Sequence, residues 1–348
     1  MSAERLLAVE HLRVGFRTEG GVVQAVDDVT FGLKEGEVLA IVGESGSGKS
    51  VTAMTLLGLT RSPNAKFEGA ARLRGQDLLT ASDDELRKVR GKEIAMIFQD
   101  PMTSMNPVQR IGAQIVEQIQ AHEDVSKAEA RDRVVSLLER VGIPRARERI
   151  DAYPHEFSGG MRQRAMIAMA LSCDPGILIA DEPTTALDVT IQAQILEVIK
   201  DLRERTNAGV ILVTHDLGVV ADIADRIVVM YAGRVVEDGT IDEVFYDPQH
   251  PYTWGLLGSI TRVDRPRPER LPSIPGLPPS LIDPPTGCHF RPRCRHAFDR
   301  CPEIPPLLAR NPASEGHHDR CWLSPDDKRS RREIGGGQIG LEAKGATA

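Results

Sequence analysis

The stretch GESGSGKS, residues 43–50, has the residue types and spacing of a loop that binds phosphate. It matches G-x-x-x-x-G-K-S/T, and it lies between an apolar run that predicts a strand and a pattern over Ser50–Leu59 that predicts a helix. Glycines in such a loop allow backbone N–H groups to surround phosphate oxygens. We expect Lys49 to reach the β- and γ-phosphates of a nucleotide and the Ser50 hydroxyl to bind Mg²⁺.

Two adjacent carboxylates, Asp181 and Glu182, end the apolar run GILIADE, residues 176–182. A buried strand usually avoids carboxylates because their desolvation is costly. At the end of a strand that lies beside a phosphate loop, Asp181 suits a metal-linked role and Glu182 suits a general base that activates water. The alternative is a solvated loop that follows the strand.

A second glycine-containing helix start occurs at Ser158-Gly159-Gly160, within FSGGMRQRAMIAMA. Free backbone N–H groups and the helix dipole favour an anion at such a position. The alternative is an ordinary helix that begins with Ser158 as its N-cap.

The pattern of apolar residues predicts the elements that position these groups. Residues 1–42 alternate apolar and polar side chains, which is typical of short strands, and apolar spacing over about 107–172 is helical. Compact apolar runs, each predicted to be a strand, occur at 91–101 (ended by Pro101), 176–182, 209–215 and 226–239, with a helical pattern at 188–206. Strand–helix–strand order with continuous apolar strands predicts a parallel sheet covered on both faces.

Composition limits the class of protein. The chain has 348 residues, 41% of them hydrophobic, and a net charge of −7, which argues against a mainly nucleic-acid-binding surface. No apolar run approaches the ~18–20 residues that cross a bilayer, and the first residues do not resemble a secretion signal. We therefore expect a cytoplasmic protein that does not bind nucleic acid.

The phosphate loop, SGGMRQR and DEPTTALD, in this order, resemble the ATP-binding-cassette ATPases. This resemblance implies an α/β fold with a P-loop NTPase core: a RecA-like parallel sheet, an N-terminal antiparallel β-subdomain and a helical insert. It also implies that Ser158, Gly159 and Gly160 contact the γ-phosphate of ATP that is held by the phosphate loop of a facing subunit.

The resemblance implies roles for several further residues. Gln99 matches a glutamine that contacts Mg²⁺ and senses the membrane partner, His215 matches a histidine that contacts the γ-phosphate, and Asp188 matches a loop that links the two sites of a dimer. Phe16 matches an aromatic residue that stacks on adenine, although a core position is the alternative. The implied ATP site comprises Phe16, Gly43, Ser45, Gly46, Ser47, Gly48, Lys49, Ser50, Val51, Gln99, Ser158, Gly159, Gly160 and Asp188. The implied catalytic residues are Lys49, Glu182 and His215, and the implied Mg²⁺ ligands are Ser50, Gln99 and Asp181.

Two positions depart from the usual pattern of that family. Val51 replaces the hydroxyl residue that most members carry, so the α-phosphate would depend on backbone contacts or on Thr52. Met161 stands where glutamine is common. Met102 and Met105 are candidates for contact with a membrane partner, and loop methionines that fill gaps are the alternative.

The C-terminal segment, HPYTWGLLGSI through GCHFRPRCRHAFDRC, resembles the ATPases of bacterial oligopeptide and dipeptide importers, a group that includes nickel importers. The implied partners are a second ATPase subunit (related or identical), two transmembrane permease subunits and an extracytoplasmic substrate-binding protein. The implied location is the cytoplasmic face of the bacterial inner membrane. The rival interpretation is a soluble, non-transport cassette ATPase that works on ribosomes or DNA. Such proteins typically carry two cassettes or a long coiled-coil insert.

Four cysteines lie close together in the last fifth of the chain and follow the spacing C-x5-C-x6-C-x19-C: Cys288, Cys294, Cys301 and Cys321. In a reducing cytosol such a group favours a metal site over disulfides. Structural zinc sites usually begin with a tighter cysteine pair, whereas wider loops can hold an iron–sulfur cluster. Some members of the importer group carry a 4Fe–4S cluster here, which we predict; zinc and no metal are the alternatives.

The remaining cysteine and the C-terminal histidines are expected to have other roles. We predict that Cys173 is a small core residue. The histidines of the same segment could serve as ligands, but solvated loop positions are the simpler interpretation for His289, His296, His317 and His318.

The predicted organisation has four parts. Residues 1–98 and 166–260 form the nucleotide-binding core, and 99–165 form the helical subdomain. Residues 261–330 form a small, irregular, proline-rich extension that contains the cysteines and is too short to build a core of its own without a metal. Residues 331–348 are expected to be a disordered tail.

Overall fold

The computed structural model describes residues 5–183, 189–259, 273–305, 308–309 and 316–334. Asp188 and residues 335–348 lie outside the described residues, so the predictions made for them stay predictions. None of the helices in the described ranges is both long and apolar enough to cross a lipid bilayer.

The strands and helices follow one another in the order that their numbers give. The strands are β1 (Leu7–Thr18), β2 (Gly21–Leu33), β3 (Val38–Val42), β4 (Ala65–Leu73), β5 (Gln76–Asp77), β6 (Ile94–Ile97), β7 (Ile177–Asp181), β8 (Gly209–Thr214), β9 (Arg226–Tyr231), β10 (Arg234–Thr240), β11 (Leu308–Ala309) and β12 (His318–Asp319). The helices are α1 (Lys49–Leu56), α2 (Asp83–Val89), α3 (Pro101–Ser104), α4 (Ile111–His122), α5 (Lys127–Arg140), α6 (Ala146–Arg149), α7 (Gly159–Ala170), α8 (Val189–Thr206), α9 (Leu217–Ile223), α10 (Ile241–Tyr246), α11 (Pro251–Gly258) and α12 (Pro325–Ile334).

The strands form two sheets, and both were expected from the sequence. An antiparallel sheet has the order β2-β1-β4-β5, and a larger sheet has the order β11-β12-β10-β9-β3-β8-β7-β6. Within the larger sheet, β9, β3, β8, β7 and β6 run parallel. Every residue of β3, β7 and β8 is buried, which explains their continuous apolar sequences. The predicted combination of a parallel core and an N-terminal antiparallel sheet is confirmed.

Two of the predicted strands have different bounds in the structure. The run at 226–239 is a hairpin of β9 and β10 rather than one strand, because Ala232 and Gly233 adopt positive φ and turn the chain back. The run at 91–101 yields only the four residues of β6. Pro101 begins α3 instead of ending the strand, since proline is tolerated in the first turn of a helix, where its missing N–H has no intrahelical partner.

The helical region packs around its own apolar side chains. Ile115 and Ile119 of α4 contact the same buried cluster as Val134 and Leu138 of α5, at the spacing that places them on one face of each helix. Met105 is also buried in this cluster, so the prediction that it contacts a membrane partner is wrong for this residue. The side chain of Met102 lies outside the described part of the structure.

The described residues of the C-terminal segment pack on the larger sheet and share its buried cluster. Phe290 lies 5.2 Å from Tyr231 and 5.4 Å from Tyr252 between ring centroids, and Ile274 and Leu281 pack against the same cluster. We expected this segment to need a metal because it is too short to build a core. That expectation did not include its packing against β9 and α11. The last turn of α12 occupies residues 331–334, which the sequence had placed in a disordered tail.

Two of the four C-terminal histidines are buried and hydrogen-bonded, so their interpretation as solvated loop residues is wrong. His289 bonds the carbonyl of Ala232 (2.8 Å), and His317 bonds the carboxylate of Glu237 (2.9 Å). Both partners belong to the larger sheet or its hairpin turn, so these histidines attach the segment to the core. Cys173 is fully buried, as predicted.

Candidate active site

The phosphate loop, residues 43–50, joins β3 to α1 and has little freedom to change shape. Gly48 is the N-cap of α1 and has a φ of 98°, in the left-handed region. A Cβ atom at this position would lie 2.4 Å from the carbonyl oxygen of Ala25, so only glycine fits. The carbonyl of Ser47 accepts a hydrogen bond from the Gly233 amide (3.0 Å), which ties the loop to the β9–β10 turn.

Lys49 is buried beneath this loop, and its positive charge is only partly compensated. Its Nζ donates to the carbonyls of Gly43 (2.8 Å) and Glu44 (3.0 Å), and the residue is 6% exposed. Burial lowers the pKa of Lys49, and the nearby carboxylates of Glu182 and Asp181, with that of Glu44, only partly oppose this shift. A phosphate group at this position would supply the missing negative charge.

Ser47 offers independent evidence for a polar ligand at the loop. Its hydroxyl is buried and has no hydrogen-bond partner among the described residues. Buried polar groups in folded proteins are nearly always paired, so an orphaned hydroxyl calls for an explanation. A phosphate oxygen at the loop explains it, and this observation fits a nucleotide.

Asp181 and Ser50 form a pair that suits a divalent cation. The Ser50 hydroxyl donates to the Asp181 carboxylate (3.0 Å), and Asp181 is 4% exposed at the end of β7. Burial raises the pKa of Asp181, while the bond from Ser50 and the charge of Lys49 lower it less. A cation would stabilise the charged form of the carboxylate, and hard oxygen ligands are those that Mg²⁺ prefers.

Glu182 lies at the centre of the polar groups at this edge of the sheet. Its carboxylate accepts a hydrogen bond from Gln99 Nε2 (2.9 Å) and lies 3.2 Å from His215 Nδ1. Its backbone has a φ of 48°, which is unusual for a non-glycine residue, and its amide donates to the carbonyl of Val213 (2.8 Å). Such strain persists where surrounding contacts hold it, and it is common at active sites.

The topology brings these side chains together. β6, β7 and β8 are parallel neighbours, so their carboxyl ends meet at one edge of the sheet, where ligands bind in open α/β folds. The predicted residues that this edge and the phosphate loop bring together are Lys49, Ser50, Gln99, Asp181, Glu182 and His215. The arrangement can hold a metal-bound phosphate and place a carboxylate beside it to activate water.

The second helix start lies on the surface of the single chain. The Ser158 hydroxyl accepts a hydrogen bond from the Met161 amide (3.3 Å), so it caps α7 as an ordinary N-cap does. Ser158 and Gly159 are exposed, and no hydrogen bond between described residues joins Ser158–Gly160 to the phosphate loop. Their contact with a nucleotide of another subunit stays a prediction.

Two further predicted ATP contacts, Phe16 and Val51, pack partly against the core, and their contact with ATP stays a prediction. Phe16 is half-buried on β1 and lies opposite Val23 of β2 and Ala65 of β4, with part of its ring against the core. Val51 also packs against this core. The Thr52 hydroxyl is buried and donates to the Gly48 carbonyl (2.9 Å), so this hydroxyl is already engaged in the helix rather than free for phosphate.

The four clustered cysteines line one small cavity of about 20 Å³ with aromatic neighbours. Burial raises the pKa of Cys294 to about 11 and that of Cys321 to about 12, so these thiols stay protonated unless a cation stabilises the thiolates. Across the described ranges, no group of three or more His, Cys, Asp or Glu side chains is placed to hold a metal ion, so the structure supports neither the predicted 4Fe–4S cluster nor zinc. The cavity gathers sulfur donors without forming a tight single-ion site.

Sequence reasoning missed one contact to the phosphate loop. The amide of Glu44 donates to the Tyr252 hydroxyl (2.8 Å), and the Glu44 carboxylate pairs with Arg293. Glu44 occupies an unspecified position of the loop motif, and Arg293 lies 249 residues away in sequence. No local spacing signals this pair.

Comparisons with known proteins agree with this geometry. The sequence profile described as ABC transporter matches residues 26–185, and the profile described as oligopeptide/dipeptide transporter, C-terminal region, matches residues 236–301. The chain is 53% identical over 324 residues to the oligopeptide transport ATP-binding protein OppD of Bacillus subtilis, with 93% of this chain and 90% of that protein covered. It is 52% identical to the dipeptide transport ATP-binding protein DppD of the same organism, with 95% and 98% covered.

Solved structures support the fold. The dimeric structure of MJ0796, a bacterial ABC transporter cassette, superposes with a TM-score of 0.62 at 28% identity and covers 68% of this chain and 98% of that one. A post-hydrolysis dimer of the same cassette, bound to ADP and Pi, gives a TM-score of 0.61 at 27% identity, with 68% and 98% covered. The α/β fold expected from the sequence is thereby confirmed.

Proposed function

The chain belongs to the ATP-binding-cassette transporter family, and we propose that it is the ATP-hydrolysing subunit of a bacterial importer of dipeptides or oligopeptides. The observation that carries this proposal is the position of the Glu182 carboxylate, between Gln99 (2.9 Å) and His215 (3.2 Å) at the edge that also carries the buried Lys49. High identity to peptide-transport ATPases over nearly the whole chain supports the substrate class.

Each residue of this edge has a defined part in the proposed reaction. Lys49 and the loop amides bind the phosphates of ATP. Ser50, Gln99 and Asp181 hold Mg²⁺, whose charge offsets that of the phosphates. Glu182 accepts a proton from the attacking water, and His215 contacts the γ-phosphate. We assign Phe16 to adenine stacking as part of the same proposal.

The nucleotide site is completed by a second subunit in this proposal. Ser158–Gly160 lie at the surface of the single chain, at the start of a helix whose free N–H groups suit an anion. The similar cassette structures are dimers. Ser158, Gly159 and Gly160 would therefore contact the γ-phosphate of ATP bound by a related or identical subunit, and Asp188 would link the two sites.

The permease subunits have a suitable docking position beside Gln99. A groove of about 850 Å³ lies between α2 and the helices α4 and α7, and Phe98, which precedes Gln99, lines it together with Leu59 and Met166. Arg87 and Lys88 lie at the same groove. A cytoplasmic segment of a permease that enters it would move Gln99, and with it the contact to Glu182. This groove replaces the buried Met105 as the proposed contact.

The cysteine cavity is proposed to hold a 4Fe–4S cluster through Cys288, Cys294, Cys301 and Cys321. Its support is that these four cysteines line one cavity. Iron and acid-labile sulfide in anaerobically purified protein, with absorbance near ~400 nm, test the assignment. Neither iron nor sulfide in such protein would remove it and leave an empty thiol cavity.

The remaining assignments follow the same proposal. The subunit lies on the cytoplasmic face of the cell membrane and receives substrate through permeases fed by an extracytoplasmic binding protein. Residues 1–98 and 166–260 form the core, 99–165 the helical subdomain and 261–330 the C-terminal extension.

The experiment that tests the function uses the whole transporter. The gene products of this chain, its permeases and its binding protein are reconstituted in liposomes, and ATP turnover and uptake of a labelled dipeptide or oligopeptide are measured. We expect peptide-dependent ATP turnover. Purification of the chain with ribosomes or DNA, and not with membrane proteins, would favour the rival soluble ATPase.

A further inference from the structure

Glu44, the second residue of the phosphate loop, is held by a residue of the C-terminal segment. Its two carboxylate oxygens accept hydrogen bonds from the two terminal nitrogens of Arg293, at 2.5 and 3.0 Å. The Arg293 side chain is only 4% exposed. A bidentate pair of arginine and carboxylate fixes the direction of both side chains as well as their separation.

Arg293 is itself held from three directions. Its Nε donates to the carbonyl of Pro275 (3.0 Å), and one terminal nitrogen also donates to that of Ile274 (3.0 Å). The other terminal nitrogen lies 3.3 Å from the Tyr231 hydroxyl. These contacts fix the guanidinium against the sheet. Its pair with Glu44 then fixes the direction of the Glu44 side chain in the loop.

Glu44 lies beside the phosphate site. Its backbone carbonyl accepts a hydrogen bond from Lys49 Nζ (3.0 Å), and its amide donates to the Tyr252 hydroxyl (2.8 Å), so this residue is held next to the lysine of the loop. An unpaired carboxylate on Glu44 would repel a triphosphate bound to that lysine. Pairing with Arg293 cancels that charge and directs the carboxylate towards the C-terminal segment.

We infer that Arg293 is a positioning residue for ATP binding: it neutralises Glu44 and holds its carboxylate away from the phosphates. The C-terminal segment then contributes a residue to the nucleotide site, in addition to carrying the cysteines. This inference rests on the proposed ATP site, and it concerns Glu44, which occupies an unspecified position of the loop motif, and Arg293, which lies outside that motif.

The test is equilibrium binding of ATP to the full chain without Mg²⁺, so that hydrolysis does not interfere. We expect Arg293→Gln to weaken ATP binding by about tenfold, the effect of one uncompensated charge partly screened by solvent. The double variant Glu44→Gln/Arg293→Gln should recover most of this loss because the repelling charge is gone. Raising the salt concentration from about 50 to about 500 mM should shrink the difference between wild type and Arg293→Gln.

A matched control separates this role from general attachment of the segment. Arg332 of α12 pairs with Asp247 (2.7 Å) and so joins the C-terminal segment to the core through a pair that includes no residue of the phosphate loop. Arg332→Gln should bind ATP as the wild type does. Iron and sulfide content and thermal unfolding without nucleotide, measured for both variants, show whether the cysteine region is disturbed.

A second pair of variants leaves Arg293 in place, in case Arg293→Gln does not fold. Glu44→Asp keeps the charge but shortens the side chain so that it cannot make the bidentate pair, whereas Glu44→Gln removes the charge. We expect Glu44→Asp to bind ATP more weakly than Glu44→Gln.

Three outcomes would overturn the inference. They are unchanged ATP affinity in Arg293→Gln, a double variant as weak as Arg293→Gln alone, or weaker binding by Glu44→Gln than by Glu44→Asp. If the wild-type chain binds no ATP, the proposed function fails and this inference fails with it. If the wild type binds and Arg293→Gln is unchanged, only the inference fails.

Discussion

The edge of the parallel sheet and the C-terminal segment bury charged groups in opposite ways. At the edge, burial lowers the pKa of Lys49 and raises that of Asp181, so each is pushed towards its neutral form. In the C-terminal segment, Lys328 and Asp319 are both buried and form an ion pair of 2.6 Å. A buried charge that the chain compensates only in part indicates where a charged ligand binds. A buried charge that is paired within the chain stabilises the fold instead.

The largest effect that this comparison predicts is at Glu182. Glu182→Gln keeps the hydrogen-bonding shape of the side chain but removes its ability to accept a proton. We expect ATP turnover by the whole transporter to fall by about 10²- to 10⁴-fold, the usual loss when a general base is removed. ATP binding should persist, which gives a nucleotide-loaded complex that rarely turns over.

Glu197→Gln is the matched control for this prediction. Glu197 is exposed on α8 and pairs with Lys200 (3.3 Å), so its loss should leave turnover unchanged. Turnover of Glu182→Gln within a few-fold of the wild type would remove Glu182 from the role of base.

The next effect concerns stability, at Lys328. Lys328→Met deletes the cationic member of this buried ion pair and leaves the Asp319 carboxylate without its lysine partner. We expect the free energy of unfolding to fall by about 3–5 kcal/mol, as measured when one member of a buried pair is removed. Chemical denaturation of the nucleotide-free chain measures it.

A surface pair provides the comparison for Lys328. Lys66 and Glu68 lie 2.6 Å apart but are largely exposed, so Lys66→Met should change the free energy of unfolding by less than about 1 kcal/mol. Equal effects at the two lysines would mean that burial of the Lys328 pair contributes nothing specific.

The sequence was informative wherever function depends on short spacing. The phosphate loop and the pair Asp181–Glu182 each follow a strand, so local spacing was enough to predict their roles, whereas Gln99 and His215 were predicted from the family resemblance. The parallel order of β6, β7 and β8 explains why these groups meet at one edge. The same holds for the continuous apolar strands of the parallel sheet, because their composition reflects burial on both faces.

The sequence was uninformative where contacts join distant parts of the chain. The pair of Glu44 and Arg293 and the bond of His317 to Glu237 link residues that no periodicity relates. The β9–β10 hairpin was missed for a different reason: Ala232, with positive φ, does not carry the usual turn signal. Tertiary packing decides such features, and local propensity does not.

A smaller effect, at His317, would show that the C-terminal segment uses its buried charges for attachment. Burial alone lowers the pKa of His317, but the hydrogen bond to Glu237 and nearby carboxylates raise it above the ordinary value. The folded chain therefore binds this proton more tightly than the unfolded chain does. The resulting stability is fully present below about pH 6.5, the unfolded pKa, and is lost as the pH rises through the folded pKa.

Denaturation curves recorded at several pH values measure the pH-dependent stability that His317 contributes. We expect His317→Gln to remove a pH-dependent contribution on the order of 1 kcal/mol, so that its stability varies less between pH 6 and 8 than that of the wild type. His318→Gln is the control, since that ring bonds the Gly316 carbonyl instead of a carboxylate. Identical pH profiles for wild type and His317→Gln would contradict the assignment.

The change in stability expected at Lys49 is also small, and it is the sharpest test of the comparison because it repeats the substitution made at Lys328. Lys49 is also buried, but the hydrogen bonds of its Nζ go to two backbone carbonyls of the phosphate loop. Lys49→Met relieves a desolvated charge and loses two hydrogen bonds, effects of opposite sign. We expect the free energy of unfolding of the nucleotide-free chain to change by about 1 kcal/mol or less, while stabilisation by added ATP disappears. A loss of stability as large as that of Lys328→Met would mean that the charge of Lys49 stabilises the fold. The distinction between a buried charge that binds a ligand and one that is paired within the chain would then fail.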